Sequence, residues 1–132
     1  MDKKYLICWA VSSFWMALIA GLWHMVIWGD FYKQYVPQGA PEQANMPLIL
    51  SGFIMLGFFM TFLYSKLSNK GIFEGIIFGA VIGFIWVTPH AVTEAAINGI
   101  DLKVLFLDGG WHIVEQAIGG FWIAFINDKR DS

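Results

Sequence analysis

Four apolar stretches, each long enough to cross a lipid bilayer as a helix, constrain the fold of this chain more than any other feature. A helix rises ~1.5 Å per residue, so about 20 apolar residues cross a hydrocarbon core of roughly 30 Å. Composition agrees, because 58% of the 132 residues are hydrophobic and only 14% are charged, whereas soluble domains carry about 25% charged residues. We therefore predict an all-α integral membrane protein, a four-helix bundle. Its spans are expected at residues 5–28, 47–65, 72–97 and 104–126.

The first stretch also has the charged start and apolar body of a signal peptide, in MDKKYLICWAVSSFWMALIAGLW. The apolar region of a signal peptide is only about 7–15 residues long, and this run is longer. We therefore expect it to form the first span, and residues 1–132 to form a single four-span domain.

Basic residues are distributed unevenly between the two sides of the predicted bundle. If successive spans alternate in direction, one side holds both termini and the KLSNK turn, with six of the eight basic residues. Basic residues in short segments favour the cytoplasmic side. We therefore expect both termini in the cytoplasm and the protein in a bacterial cytoplasmic, or inner, membrane. The six residues are Lys3, Lys4, Lys66, Lys70, Lys129 and Arg130.

Loop lengths, charge and cysteine usage limit the architecture and the partners. The one long connection, residues 29–46, is expected on the outer side, while the two short turns predict that spans two, three and four are antiparallel neighbours. A net charge of −2 with no long basic run excludes a nucleic-acid partner. Cys8 is the only cysteine, which excludes an internal disulfide. The expected surroundings are the lipid bilayer, with other membrane subunits or further copies of the chain as open alternatives.

The third span carries glycine at every fourth position, at Gly71, Gly75, Gly79 and Gly83. Small residues at this spacing let another helix backbone approach closely, and such contacts drive helix association in lipid. We therefore expect the third span to be central in the bundle. Pro89 lies further along and removes a backbone hydrogen bond, so we expect it to kink this helix.

Ionisable side chains lie on the inward-facing sides of the predicted helices. On the fourth span Asp108, His112 and Glu115 follow at spacings of four and three, and so share one face. On the third span His90 lies within about 20° of the glycine face, counting 100° per residue, and Glu94 follows one turn later. Charged groups within a membrane protein are tolerated where they face the bundle interior.

His24 lies near the outer end of the first span, so every histidine in the chain is expected at a similar depth, together with three acids. Imidazoles and carboxylates are the ligands of zinc, manganese and non-haem iron, and histidines also bind haem. The sequence therefore predicts a divalent metal or haem site in the outer half of the bundle. The expected cofactor-binding histidines are His24, His90 and His112, and the expected metal ligands are His90, Glu94, His112, Glu115 and Asp108.

The same residues also have structural explanations. The spacings HxxxE and HxxE arise by chance, and no HExxH motif is present. Asp108 suits the first turn of a helix, His24 suits the headgroup boundary, and Glu94 suits a helix end at the water surface. For His90, His112 and Glu115, which are expected further in, the alternative is a structural ion-pair or hydrogen-bond network.

The layout of the chain resembles small bacterial integral membrane proteins that are grouped in families of unknown function. The features that carry the resemblance are four spans in about 130 residues, a long first outer loop, a glycine-rich third span and a fourth span that begins with DGGWH. The resemblance covers the whole chain and rests on architecture. It implies a fold and no chemistry.

These observations leave four functions open, with binding of a divalent metal or other cofactor by the His/carboxylate cluster as the leading hypothesis. The first alternative is an accessory or structural subunit of a larger membrane complex, in which the cluster is an ion-pair network. An enzyme acting on a lipid or apolar substrate would use Glu115 or His112 as a general base. Proton or solute transport would use the cluster as part of a polar path.

Overall fold

The computed structural model describes residues 2–35, 43–68 and 71–128, and over these ranges the chain is helical with no strand. Lys70, Lys129 and Arg130, which contribute to the predicted orientation, lie outside the described residues, as does the stretch 36–42 of the predicted outer loop. The elements are α1 (Lys3–Gly21), a π-helical segment (Leu22–Ile27), α2 (Gly29–Lys33), α3 (Met46–Tyr64), α4 (Ile72–Asn98) and α5 (Leu102–Asp128).

Three of the described helices are long and apolar enough to cross a membrane, which supports the predicted class of membrane protein. They are α1 with its π-helical extension, α3 and α4. The predicted fourth span corresponds to α5, which has the length but carries Asp108, His112, Glu115 and Gln116 among its apolar residues. The fourth span and the orientation of the termini stay predictions.

The ends of α3 and α4 follow local sequence signals. Asn45 caps α3, because its side chain accepts a hydrogen bond from the backbone N–H of Leu48 at 3.1 Å. Gly99 ends α4 in the left-handed conformation, at φ 64°, where a residue with a side chain would be strained. The chain then reverses direction and α5 begins at Leu102, so the last turns of α4 and the first turns of α5 lie at the same end of the molecule.

The central helix is α5, and the prediction that the glycine-rich helix would be central is wrong. Helix α5 packs closely against both α1 and α4, whereas α4 packs almost entirely against α5. The physical reason is that both helices carry small residues: Gly75 and Gly79 of α4 meet Gly120 of α5. A glycine face on one helix specifies a close neighbour, and it does not specify how many neighbours that helix has.

The close approach of α4 and α5 leaves no room for a side chain at the contact. A Cβ atom added to Gly75 would lie 2.6 Å from the carbonyl oxygen of Gly120, and one added to Gly83 would lie 2.6 Å from the carbonyl oxygen of His112. These are backbone atoms, which cannot move aside as a flexible side chain can. The glycines of α4 therefore fix the position of α5 along its neighbour.

Helix α3 packs on α1 and makes little contact with α4. The indole N–H of Trp9 donates to the carbonyl oxygen of Ile54 at 2.7 Å, and the hydroxyl of Tyr5 donates to that of Phe58 at 3.0 Å. The short turns thus make close neighbours of α4 and α5, as predicted, but not of α3 and α4. An apolar groove lies between α3 and the pair α4 and α5.

Helix α4 continues as one α-helix through Pro89, and the hydroxyl of Thr93 donates to the proline carbonyl at 2.9 Å. The predicted kink at Pro89 stays a prediction.

We predict that Gly83→Ala lowers the free energy of unfolding by about 1–3 kcal/mol, the usual effect of adding a methylene group to a tightly packed interior. Thermal unfolding in detergent, followed by circular dichroism, measures the change. The matched control is Gly52→Ala on α3, because a Cβ atom added there meets nothing within 4 Å. Equal stability of the two variants would contradict the proposed role of the glycine contact.

Candidate functional site

The π-helical segment at the end of α1 positions His24. The backbone N–H of Trp28 donates to the carbonyl oxygen of Trp23 at 2.9 Å, five residues earlier. Such wide turns occur often at functional sites, where they change the direction of a side chain. The Nδ1 atom of His24 lies 2.9 Å from the carbonyl oxygen of Ala20, to which it donates, so Nε2 faces α5. The ring is held in this direction by its own helix.

The Asp108 carboxylate of α5 lies between the two histidines. Its Oδ1 atom is 3.0 Å from Nε2 of His24, and its Oδ2 atom is 3.6 Å from Nε2 of His112. Because His24 faces an acceptor on each side, the Ala20 carbonyl and the Asp108 carboxylate, a cation must be shared at the Nε2 side, either a proton or a metal ion. The side chains of His24 and Asp108 are 33% and 34% exposed, so the protein does not fully enclose them.

Tyr32 of α2 joins this cluster, and the sequence analysis missed it. Its hydroxyl donates to Oδ1 of Asp108 at 3.1 Å and accepts from the indole N–H of Trp23 at 3.1 Å. Burial, together with the negative charge of Asp108, raises the pKa of Tyr32 to about 12, so the hydroxyl keeps its proton at neutral pH. The only signal in the sequence is a tyrosine just beyond the predicted first span, four residues after that span ends at Trp28.

Aromatic stacking holds the first span against α5 at the level of the site. The rings of Trp23 and Trp111 are parallel within 4°, with centroids 4.2 Å apart. The rings of His24 and Tyr32 also touch, with centroids 4.7 Å apart. The cluster therefore rests on a rigid aromatic frame formed by the π-helical segment, α2 and α5.

The polar side chains continue from His112 into the interior of the bundle. The Nδ1 atom of His112 lies 3.6 Å from Oε1 of Glu115, and the side-chain amide of Gln116 donates to the same oxygen at 2.6 Å. Glu115 and Gln116 are both fully buried. Each of these two side chains has one oxygen without a hydrogen-bond partner in the part of the chain that the structure describes, Oε2 of Glu115 and Oε1 of Gln116.

The predicted ligands of α4 lie apart from this group. His90 is exposed, and the Glu94 carboxylate accepts a hydrogen bond from the side-chain amide of Asn98 at 2.6 Å. Both line a cavity of about 570 Å³ between α4 and α5, and Asp108 and His112 form part of its opposite wall. The two helices are in contact at their glycines and separate toward the end of α4, where this cavity lies. His90 is on the same face of α4 as the glycines, but at this level that face borders the cavity and not the packed interior.

The structure thus brings together three of the predicted site residues closely enough to hold one ion. His24, Asp108 and His112 each offer one ligand atom, and these atoms lie within 4.8 Å of one another. Metal–ligand bonds of ~2.0–2.2 Å place neighbouring ligand atoms of a tetrahedral site roughly 3.3–3.6 Å apart. An ion would therefore draw the three side chains together by about an ångström.

Comparison with protein-family models, with curated proteins and with solved structures finds no match to this chain. The chemistry of the site is therefore inferred from its own residues.

We predict that Asp108→Ala lowers the free energy of unfolding by about 1–3 kcal/mol in the presence of a chelator. The substitution leaves His24 and Tyr32 without the acceptor that they share, and an unpaired polar group in a partly buried position has an effect of this size. Chemical denaturation in detergent measures the change.

Asp30→Ala is the matched control, because this carboxylate is 96% exposed and pairs only with Lys33 within the described part of the chain. We expect it to leave the unfolding transition unchanged. A loss as large in Asp30→Ala as in Asp108→Ala would contradict the central position of Asp108.

Proposed function

We propose that this membrane protein binds a divalent transition-metal ion through His24, Asp108 and His112. The observation that carries the proposal is the convergence of two imidazole Nε2 atoms on one carboxylate, from two separate helical segments. Two imidazoles and one carboxylate form the ligand set of catalytic zinc sites and of many non-haem iron sites.

The second ring nitrogen of His24 supports this proposal. Histidines that bind metals usually donate their second N–H to a backbone carbonyl or a carboxylate, which fixes the ring and strengthens the ligand. Nδ1 of His24 donates to the Ala20 carbonyl at 2.9 Å, whereas Nδ1 of His112 lies 3.6 Å from Oε1 of Glu115, just beyond hydrogen-bond distance, and has no hydrogen-bond partner among the described residues. Glu115, which was predicted as a ligand, is proposed instead to orient His112.

The ligand set favours zinc, iron or manganese over haem. A haem bound by two histidines needs both Nε2 atoms on opposite faces of one porphyrin, whereas the Asp108 carboxylate lies between the two Nε2 atoms here. We use zinc as the test ion for this site, because zinc accepts nitrogen and oxygen ligands in a tetrahedral arrangement.

Three protein ligands leave one position of a tetrahedral ion for water or a substrate. Asp108 and His112 form part of the wall of the cavity of about 570 Å³, which also contains His90 and Glu94. A bound divalent ion would polarise a substrate oxygen or lower the pKa of a bound water. His90 and Glu94 are then placed to contact a molecule in the cavity, and not the metal. In the predicted orientation this site faces the outer side of the membrane.

We predict that protein purified without a chelator or a histidine tag carries about one equivalent of divalent metal by elemental analysis. The variants His24→Ala and His112→Ala should each bind the metal at least ten-fold more weakly, because each removes a ligand. The variant His90→Ala should retain it, because His90 lies outside the group of three. Metal titration with a competing chromogenic chelator measures the affinities.

Two results would contradict this proposal. Equal loss of metal in His90→Ala and His112→Ala would place the ion in the cavity between α4 and α5. A folded wild-type protein that binds no zinc, iron or manganese would make the cluster a hydrogen-bond network, as expected for an accessory subunit of a membrane complex.

A further inference from the structure

An apolar groove between α3 and the pair α4 and α5 has no role in the proposed metal site. Its volume is about 470 Å³, within the range of roughly 300–1,000 Å³ that is typical of ligand pockets. The groove exists because α3 packs on α1 and barely touches α4. Apolar side chains form most of its surface, among them Ile49, Phe53, Leu56, Phe59, Ile82 and Trp86.

Glu115 and Gln116 also line this groove, although both are fully buried within the protein. The Oε1 atom of Gln116 and the Oε2 atom of Glu115 have no hydrogen-bond partner among the described residues. Polar atoms buried in this way normally have a partner in the protein or in a bound molecule. The side chains that carry these two oxygens form the polar part of an otherwise apolar groove lining, which favours a ligand with a matching head group.

The chemistry of the two oxygens selects the head group. The amide oxygen of Gln116 only accepts hydrogen bonds, so the ligand must donate one. The Glu115 oxygen accepts when the carboxyl group is ionised and donates when it is protonated, and a hydroxyl group can donate its single proton and also accept a hydrogen bond. Quinones, ethers and esters lack the donor, and a charged head group would have to leave water to reach this position.

We propose that the groove binds a membrane-resident molecule with a hydrocarbon body and a hydroxyl head group, either a long-chain alcohol or an alkyl-substituted phenol. The hydrocarbon body lies between α3 and α4, and the hydroxyl lies beside Gln116 and Glu115 and donates its one proton to an unpaired oxygen of this pair. His112 lines both the groove and the cavity of the proposed metal site, so the two sites adjoin at this residue. The proposal does not depend on the metal.

The test uses a dodecanol that carries a photoreactive diazirine on its chain, added to the protein in phosphatidylcholine nanodiscs containing a chelator. After illumination, mass spectrometry locates the labelled residues. We expect saturable labelling of groove residues on α3 and α4. Unlabelled 1-dodecanol should compete at a concentration at least ten-fold lower than dodecyl methyl ether, which has no donor. Competition by decylhydroquinone in a parallel titration distinguishes a phenol from an alcohol as the preferred ligand.

Two variants connect the labelling to the groove. Gly52 lines the groove, and a Cβ atom added there meets nothing within 4 Å, so Gly52→Leu should fill the groove without disturbing the fold. We expect it to abolish saturable labelling. Gly21→Leu is the matched control, since a Cβ atom at Gly21 also meets nothing within 4 Å and this glycine does not line the groove. Glu115→Gln should weaken the competition by dodecanol about ten-fold.

Labelling that is spread evenly over the lipid-facing residues would overturn the proposal, and so would labelling that is unchanged in Gly52→Leu. Equal competition by the alcohol and the ether would also overturn it. Because the nanodiscs contain a chelator, these results are independent of metal binding. Loss of the metal site with retained labelling would contradict only the proposed function, and retained metal without labelling would contradict only the groove ligand.

Discussion

The backbone contact between α4 and α5 is the constraint on which the rest of the structure depends. In a bilayer the hydrophobic effect does little to bring two helices together, so close van der Waals contact must do so. Gly75, Gly79 and Gly83 allow this contact, and Gly83 lies against the carbonyl oxygen of His112 itself. Gly83, which allows the two helices to approach closely, therefore also sets the position of His112 in the site. A side chain at Gly83 would displace the turn of α5 that carries His112.

Spacing within single helices made part of the fold and of the site predictable. The apolar stretches predicted helices of membrane-spanning length, and three of the described helices have that character. The spacing of four between Asp108 and His112 predicted a shared face, and both lie in the cluster with His24. These predictions succeeded because they depend on the period of one helix and not on how helices are arranged.

Arrangement between helices was less predictable. The central position of α5, the separation of α3 from α4 and the exposure of His90 all depend on which helices pack together, and glycine spacing does not encode this. The π-helical turn that directs His24 has no reliable sequence signal, and Tyr32 reaches Asp108 from a separate short helix beyond that turn. Counting residues along the first span therefore does not predict where the Tyr32 side chain lies.

His112 links the two proposals, since it lines both the apolar groove and the cavity that also contains His90 and Glu94. An ion held by its Nε2 atom and a hydroxyl group paired with Glu115 would be separated by one imidazole and one carboxylate.

X-ray absorption spectroscopy of the zinc-loaded protein tests the central claim most directly, because it reports the atoms bound to the ion. The account predicts nitrogen and oxygen neighbours at ~2.0–2.2 Å, with the outer-shell scattering of two imidazole rings, reduced to one ring in His112→Ala. A spectrum with no imidazole scattering, or one unchanged by His112→Ala, would show that the ion is bound elsewhere and would contradict the proposed centre.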